Sequence, residues 1–271
     1  MNNAQTAPDP GILRSEKLTN LKKDIKMTVL SVNLNKIALL RNSRGRDFPN
    51  VVEFARKFVD LGVRGITIHP RQDERHITRQ DAFDLGHFVR GLKDIELNIE
   101  GYPSEDFLAL VEKIVPHQCT LVPDSPTQLT SDHGWDLTRH FDQVRDTCSR
   151  INGAGIRTAI FLDPDKAQVR LAPGTGTKRL ELYTEEYAES YGTEECDSVL
   201  RRYRESALLA QELGLGINAG HDLDLGNLAR FLEIDGILEV SIGHALTVEC
   251  IENGMTEVVA RYLDICSRSG D

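Results

Sequence analysis

Short segments rich in β-forming residues alternate with longer helical segments along most of this chain. Eight strand candidates are each followed by a helical or loop segment: Val29–Asn35, Gly65–His69, Ile95–Glu100, Cys119–Pro123, Arg157–Leu162, Arg179–Tyr183, Leu215–Ala219 and Leu238–Ile242. Such an alternation over about 240 residues is typical of a closed (β/α)8 barrel. The rival arrangement, an open doubly wound sheet, is disfavoured because no GxGxxG motif follows the first strand. The sequence therefore predicts an α/β protein with a single (β/α)8 TIM barrel over residues 27–271.

The segments between the strand candidates carry signals for helix starts. Asn50 precedes a predicted helix over Val51–Leu61, Ser104 precedes one over Glu105–Ile114, and Asp136 precedes a longer one. Asn, Ser and Asp are favoured at these positions because their side chains accept a hydrogen bond from an unpaired backbone N–H of the first turn. These signals agree with the barrel prediction.

The first 26 residues have a different composition, with Gln, Asn, Pro and Lys and no apolar core or cleavage signature of a secretory signal. We expect a flexible extension at residues 1–26, outside the barrel and disordered or loosely helical.

The overall charge and the cysteine pattern exclude several classes of function. With 42 acidic and 32 basic side chains among 271 residues, the formal net charge is −10, which argues against nucleic acid as the main partner. No apolar run approaches the length of about 18 residues that a membrane span requires. Five scattered cysteines without a CxxC motif predict neither a disulfide framework nor a zinc ribbon, and are typical of reduced thiols in a cytoplasmic protein.

Several strand candidates carry one apolar and one polar face. Alternate residues of a strand share a face, and the polar faces would point into the barrel lumen. They hold Ser31, Asn33 and Asn35 in the first strand, Thr67 and His69 in the second, Glu96, Asn98 and Glu100 in the third, and Arg179, Glu181 and Tyr183 in the sixth. Most barrels fill this space with Val, Ile and Leu. A polar lumen predicts either a site for polar substrates at its upper end or an inert network of paired charges.

Residues that can move protons or bind anions cluster at the predicted carboxyl ends of the strands, where active sites of this fold lie. They are Asn33, Asn35, Lys36, His69, Arg71, Glu100, Glu181, His221, Gly243 and His244. His and Glu can serve as acids and bases, whereas Lys and Arg bind anionic groups. No HxH or HExxH motif is present and the acidic groups are spread, so we do not expect a metal.

A phosphate site is indicated by the ends of the seventh and eighth strands, which read Asn218-Ala219-Gly220-His221 and Ser241-Ile242-Gly243-His244. Glycine lets backbone N–H groups approach an oxyanion, and the loops after strands seven and eight form the recurrent phosphate site of these barrels. The arginine-rich segments 41–45 and 71–77 follow the first and second strands. Their arginines could hold a second phosphate or belong to a solvated surface.

Several motifs in one order resemble the pyridoxine 5′-phosphate synthase family. They are Asn33 with RNSRG (41–45), GITIHPR (65–71), RHI (75–77), NIE (98–100), LVP (121–123), NAGH (218–221) and IGH (242–244). The resemblance begins near Met27 and continues to the C-terminus. It implies a (β/α)8 barrel that condenses 1-deoxy-D-xylulose 5-phosphate with 3-amino-2-oxopropyl phosphate to pyridoxine 5′-phosphate, inorganic phosphate and water. It also implies that no metal or cofactor is needed and that the enzyme is a homo-octamer.

The resemblance assigns a role to each candidate residue. The catalytic set would be His69 and Glu100 as proton acceptors, His221 as proton donor and Glu181 as stabiliser of charged intermediates. The aminoketone phosphate would be held by Asn33, Arg44, Gly243 and His244, and the deoxyxylulose phosphate by Arg71, His76 and Thr130. We add Asn35, Lys36 and Asp222 as substrate-binding candidates because they occupy family positions with altered residues.

Three departures from the family pattern accompany these matches. Asn35-Lys36 stands where Asp-His is common, Asp222 where glycine is usual, and Tyr183-Thr184-Glu185-Glu186-Tyr187 where a His-Thr-Gly-x-Tyr pattern is common. Lys36 can still bind a sugar hydroxyl or phosphate. Asp222 places a negative charge beside the predicted phosphate site, which is favourable only if it turns away, for instance to cap the next helix.

Two other functions remain open from the sequence. One is an aldolase-like barrel that uses Lys36 as a Schiff-base amine. The other is a sugar-phosphate-binding paralogue without catalysis, which the altered Asp222 and sixth-strand segment would suit. Retention of His69, Glu100, Glu181 and His221 argues against a pure binding protein.

Overall fold

The computed structural model describes residues 27–124 and 131–268. Its strands are β1 (Val29–Asn33), β2 (Gly65–Ile68), β3 (Glu96–Gly101), β4 (Gln118–Leu121), β5 (Arg157–Leu162), β6 (Arg179–Tyr183), β7 (Gly216–Gly220) and β8 (Ile237–Ile242). They are parallel, each pairs with its neighbours in chain order, and β8 pairs with β1 to close the barrel. All eight predicted strands are confirmed, with ends that differ by at most two residues. The extension expected at residues 1–26 lies outside the described part of the chain.

Helices connect the strands and surround the barrel. They are α1 (Asn35–Asn42), α2 (Val51–Asp60), α3 (Arg79–Arg90), α4 (Glu105–Ile114), α5 (Leu137–Gly153), α6 (Lys166–Leu171), α7 (Glu185–Ser190), α8 (Cys196–Glu212), α9 (Leu228–Phe231), α10 (His244–Asn253) and α11 (Met255–Arg268). None of the helices in the described ranges is both long and apolar enough to cross a membrane.

The three predicted N-caps are confirmed by their hydrogen bonds. The Asn50 side chain accepts from the backbone N–H of Glu53, and the Ser104 hydroxyl accepts from that of Phe107. The Asp136 carboxylate accepts from the backbone N–H of Thr138 at the start of α5. Each bond satisfies a donor that the first helical turn leaves without an intrahelical partner.

The apolar faces of the strands form the layer between barrel and helices. Leu30, Val32, Ile66, Ile68 and Ile99 are each at most 2% exposed. Full burial of such a side chain stabilises the fold by about 1.5–3 kcal/mol. The opposite faces point into the lumen, as their polarity predicted.

Hydrogen bonds between neighbouring strands satisfy the polar groups in the middle of the lumen. Ser31 and Thr67 share a bond of 2.7 Å between their hydroxyls. The Thr120 hydroxyl lies 3.0 Å from the Asn98 amide oxygen and 3.2 Å from a Glu181 carboxylate oxygen. Buried polar groups without partners are costly, so this network is what allows the barrel to be polar inside.

Ion pairs occupy the amino-terminal end of the lumen. Arg179 lies 3.0 Å from both the Glu239 carboxylate and the Asn218 amide oxygen. Arg157 pairs with Glu96 on β3. This end therefore matches the network of paired charges that the sequence left as one alternative, whereas the carboxyl end is open.

Candidate active site

A cavity of about 550 Å³ opens at the carboxyl ends of the strands. This volume is within the range of about 300–1,000 Å³ typical of sites for small molecules. Twelve of the fourteen predicted site residues line it: Asn33, Asn35, Lys36, His69, Arg71, His76, Glu100, Glu181, His221, Asp222, Gly243 and His244. The barrel therefore brings together residues that are up to 211 positions apart, from Asn33 to His244.

Two predicted ligands are not among the lining residues. Arg44 lies in the exposed turn that follows α1, so its proposed contact with phosphate stays a prediction. Thr130 lies outside the residues that the structure describes.

The arginines of segments 41–45 and 71–77 have different roles, because one links two helices and others line the cavity. Arg41 is buried and forms an ion pair with Asp81, whose carboxylate also accepts hydrogen bonds from Thr78 in the capping box of α3. Arg41 therefore ties α1 to α3. Arg71 and Arg75 line the cavity instead, where they can meet an anionic substrate.

Hydrogen bonds fix the first two strand ends against each other. The Asn33 side chain accepts from the Asn35 backbone N–H at 3.0 Å, and the Asn35 side chain accepts from the His69 backbone N–H at 3.0 Å. The Asn33 amide also lies 3.5 Å from a Glu100 carboxylate oxygen. Asn35 thus positions His69, whatever further contact it makes with substrate.

Two histidines of the cavity are held in the neutral form. Burial, together with the charge of Arg71, lowers the pKa of His69 well below its usual range. Burial and the nearby cations Arg71, Arg75 and Lys36 lower the pKa of His76 to about 4. A neutral imidazole can accept a proton, so His69 is suited to the role of base.

Two glutamates show the opposite shift. Burial raises the pKa of Glu100 well above its usual value, and the neighbouring carboxylates Glu181 and Asp124 raise it further. Burial and the charge of Glu239 raise the pKa of Glu181 to about 8. Carboxyl groups shifted in this way exchange protons nearer to neutral pH, which is the condition for general acid–base catalysis.

Sequence reasoning missed a buried ion pair behind Arg71. The Arg71 guanidinium pairs with Asp124, which is 3% exposed and also accepts a hydrogen bond of 2.8 Å from the Ser131 hydroxyl. Asp124 follows β4 after Val122 and Pro123, so the rule that strand ends carry site residues could have found it. The pair orients Arg71 at the cavity wall.

The predicted phosphate site coincides with the start of α10. Gly243 is its N-cap, and the Thr247 N–H is bonded to the Gly243 carbonyl, which leaves the first backbone N–H groups of the helix free for an anion. A Cβ atom at Gly243 would lie 2.9 Å from Asn33 Cβ, and one at Gly220 would lie 2.8 Å from Glu181 Oε1. Gly243 is thus required by its close approach to Asn33, whereas a side chain at position 220 would displace the Glu181 carboxyl.

Asp222 does not cap the helix after β7, contrary to the expectation from its charge. Its carboxylate lies 2.9 Å from Nδ1 of the preceding His221 and lines the cavity. The Asp224 carboxylate instead accepts from the backbone N–H groups of Gly226 and Asn227. The reason is conformational: Asp222 has φ of 56°, a left-handed backbone that the sequence pattern does not signal.

The altered sixth-strand segment meets Asp222 at one side of the cavity. The Tyr183 hydroxyl donates to Glu185, and the Tyr183 ring packs edge-on against His221 with centroids 4.9 Å apart. Glu185, His221 and Asp222 each place one potential metal-ligand atom within 4.8 Å of the others. These groups already bond to one another or to Tyr183, and the expectation of a metal-free site stays a prediction.

The fold and this site define the class of (β/α)8-barrel proteins with a polar cavity for small molecules at the carboxyl ends of the strands. The family model described as pyridoxal phosphate biosynthesis protein PdxJ matches residues 30–268, and the chain belongs to this family. The pyridoxine 5′-phosphate synthase of Bacteroides fragilis (strain YCH46) is 48% identical over 237 residues, 87% of this chain and 98% of that protein. The synthase of Chelativorans sp. (strain BNC1) is 46% identical over 242 residues, 88% of this chain and 98% of that protein.

Solved structures with much lower identity share the fold. Tryptophan synthase from M. tuberculosis aligns with a TM-score of 0.61 at 9% identity, over 93% of this chain and 97% of that chain. Phosphoribosylanthranilate isomerase from Thermotoga maritima aligns with a TM-score of 0.52 at 12% identity, over 89% of this chain and 98% of that chain. These likenesses extend to the barrel architecture alone.

Proposed function

We propose that this protein is a pyridoxine 5′-phosphate synthase. It would condense 1-deoxy-D-xylulose 5-phosphate with 3-amino-2-oxopropyl phosphate to give pyridoxine 5′-phosphate, inorganic phosphate and water, in the synthesis of vitamin B6. The observation that carries the proposal is one cavity that holds a neutral imidazole, His69, beside two carboxyl groups of raised pKa, Glu100 and Glu181. The family membership and the names of the relatives support it.

The chemistry requires repeated proton transfers, for which these groups are suited. The amine of one substrate attacks the ketone of the other, and the resulting carbinolamine loses water to form an imine. Enolisation, elimination of phosphate and ring closure with loss of a second water then follow. His69 and Glu100 would accept protons, and His221 would donate one to a leaving oxygen. Glu181 would stabilise positive charge on the nitrogen-bearing intermediates. Acids and bases held around one enclosed pocket typically contribute about 10²–10⁴-fold each to rate.

The cavity offers two groups of anion ligands for the two phosphorylated substrates. The backbone N–H groups after Gly243, with His244 and Asn33, would hold the aminoketone phosphate at the start of α10. Arg71 and His76 on the other side would hold the deoxyxylulose phosphate. Asn35 and Lys36 are the first two residues of α1 at the same mouth, where they can reach its hydroxyl groups.

The direct test is to incubate the purified protein with both phosphorylated substrates, without added metal or cofactor, and to measure pyridoxine 5′-phosphate and released phosphate. We expect both products in equal amounts. Binding of the substrates without either product would instead support the non-catalytic paralogue. Borohydride reduction in the presence of the ketose phosphate tests the aldolase-like alternative, because only that mechanism leaves substrate covalently attached to Lys36.

A homo-oligomer, an octamer by analogy with the family, is supported by apolar side chains left on the surface. Leu40 in α1, Phe48 after it and Ile251 in α10 are 54%, 80% and 76% exposed. Exposed apolar groups on adjacent elements commonly mark contacts between subunits. Light scattering after gel filtration measures the mass, and Phe48→Glu should lower it. We also propose a cytoplasmic location, supported by five free thiols and a biosynthetic role.

A further inference from the structure

The end of β7 leads into two consecutive residues with unusual backbone angles. His221 has φ of 92° and Asp222 has φ of 56°, both in the left-handed region that residues with side chains seldom adopt. Such conformations persist only when surrounding contacts enforce them, and they cluster at functional sites.

Two buried side chains hold this turn. The Thr184 hydroxyl, fully buried at the end of β6, bonds to the backbone carbonyls of both Gly220 and His221. The Asn227 amide donates to the Asp222 carbonyl at 3.1 Å, and Asn227 is 3% exposed. The turn is therefore fixed from β6 on one side and from the start of α9 on the other.

The strained turn brings the Asp222 carboxylate onto the ring of the residue before it. Asp222 Oδ2 lies 2.9 Å from His221 Nδ1, and the ring of Tyr183 packs against His221 from β6. The close contact with His221 lowers the pKa of Asp222, so the carboxylate is ionised. An ionised acceptor at Nδ1 keeps a proton on that nitrogen and leaves Nε2 as the atom that exchanges protons.

We propose that Asp222 is a positioning residue that holds His221 with its proton on Nδ1, so that Nε2 acts on the bound substrates. The proposal rests on the role of His221 as proton donor proposed above. In the donating step the Nε2–H bond breaks, an O–H bond forms on the leaving oxygen, and His221 becomes neutral with its Nδ1–H still bonded to Asp222. The arrangement also explains how an anionic side chain can stand near the phosphate site, because it is directed at the imidazole.

Three variants separate this role from its alternatives. Asp222→Gly removes the acceptor and also relieves the backbone strain, because glycine adopts positive φ freely. Asp222→Asn keeps a neutral acceptor of similar shape. Asp94→Gly is the matched control, since Asp94 is exposed in the turn before β3 and has φ of 63°. It reports the effect of relieving strain alone.

We expect Asp222→Gly to lower kcat roughly 10–100-fold, as loss of an orienting partner typically does, with KM for both substrates changed less than about twofold. Its Tm should equal or exceed that of the wild type. Nitrogen-15 NMR of histidine-labelled protein should show His221 moving from the Nδ1–H to the Nε2–H tautomer. Asp222→Asn should keep the Nδ1–H tautomer and an intermediate kcat, and Asp94→Gly should change neither.

Several results would overturn the proposal. A raised KM with unchanged kcat in Asp222→Gly would make Asp222 a substrate ligand, and a lowered Tm with proportional loss of activity would make it merely structural. An unchanged tautomer would refute the pairing itself. His221→Gln, which also assigns the NMR signals, tests the underlying role separately: turnover within about twofold of the wild type would refute His221 as the donor, whatever Asp222 does to the tautomer.

Discussion

The two ends of the barrel lumen use the same strand pattern for opposite purposes. At the amino end, Arg157 and Arg179 pair with Glu96 and Glu239. At the carboxyl end, Glu100 and Glu181 accept hydrogen bonds from the neutral side chains of Asn33 and Thr120.

The two ends differ in how they shift the pKa of their glutamate side chains. Partial burial opposes ionisation of Glu96, but the hydrogen bond and charge of Arg157 together with the charge of Arg179 outweigh it, so the pKa of Glu96 is lowered and the carboxylate stays ionised. Burial without a bonded cation raises the pKa of Glu100 and Glu181. An ion pair fixes charge, whereas a buried carboxyl with neutral partners keeps a proton that can be moved. Whether a polar residue in a barrel lumen holds a fixed charge or exchanges a proton therefore depends on the charge of its neighbours.

The largest effect should come from Glu100→Gln, which removes the proton-accepting carboxyl group and keeps the shape. We expect kcat to fall about 10²–10⁴-fold with KM nearly unchanged, because the group acts in proton transfer. Steady-state kinetics with both substrates measures this. A turnover number close to that of the wild type would remove Glu100 from the mechanism.

Removing an ion pair at the amino end of the lumen should lower the free energy of unfolding more than it changes kcat. Arg179→Met leaves Glu239 buried without its cation, and removing one partner of a buried pair costs about 3–5 kcal/mol. Urea unfolding should show this loss, whereas kcat of the folded protein should change less than in Glu100→Gln. Arg145→Met provides the control, because Arg145 forms exposed pairs with Asp142 and Asp146 and should have little influence on stability. Equal losses in the two variants would contradict the comparison.

Glu181 and Glu96 should also respond to pH with opposite signs, whereas Glu239, whose burial raises its pKa even beside Arg179, should respond with the same sign as Glu181. Burial raises the pKa of Glu181 from its ordinary value near 4.5 to about 8, so the folded protein retains a proton that the unfolded chain releases. Stability from this group is complete below about pH 4.5 and is lost as pH rises through 8. The Tm of Glu181→Gln should therefore rise relative to that of the wild type as pH increases from 5 to 9.

Glu96 supplies the matched comparison at the other end. Its lowered pKa means that its contribution is present above the ordinary value near 4.5 and is lost as pH falls. The Tm difference between the wild type and Glu96→Gln should shrink below that value. Parallel pH profiles for Glu96→Gln and Glu181→Gln would show that the two ends do not differ.

The smallest effect is expected at the exposed rim, where Lys36 reaches the cavity. Lys36→Arg keeps the charge and should retain much of the activity, whereas Lys36→Met should raise KM for the deoxyxylulose phosphate about tenfold or less, because a charge-assisted hydrogen bond is weakened by solvent. Kinetics of both variants, with borohydride trapping of the wild type, tests this. Loss of turnover in Lys36→Arg together with trapped substrate would establish the covalent mechanism instead.

The strands and most of the site could be predicted from sequence because both depend on local patterns. Alternation over Glu96–Gly101 placed Asn98 and Glu100 in the lumen, and the rule for strand ends then gathered His69 and His221 at one mouth. Pairings between helices distant in sequence could not be predicted in this way. The partner of Arg41 on α1 is Asp81 on α3, which depends on how these two helices pack.

The orientation of the Asp222 side chain could not be predicted from the sequence for a different reason. Its side chain reaches His221 because two residues adopt positive φ, and neither is the glycine that usually signals such a turn. The missed Asp124 was closer to being predictable, since it follows β4 at the same edge of the barrel as the other site residues.

The close approach of Gly220 to Glu181 limits the substitutions that β6 and β7 can accept. A methyl group at position 220 would meet the Glu181 carboxylate at 2.8 Å and the Ser241 carbonyl at 3.3 Å. Substitutions on β6 and β7 are therefore epistatic: alanine at 220 displaces the Glu181 carboxyl from its place in the lumen, and a shorter side chain at 181 that relieves the contact gives up the proton-exchanging carboxyl. In a combinatorial library selected for activity, positions 181 and 220 should be retained or lost together.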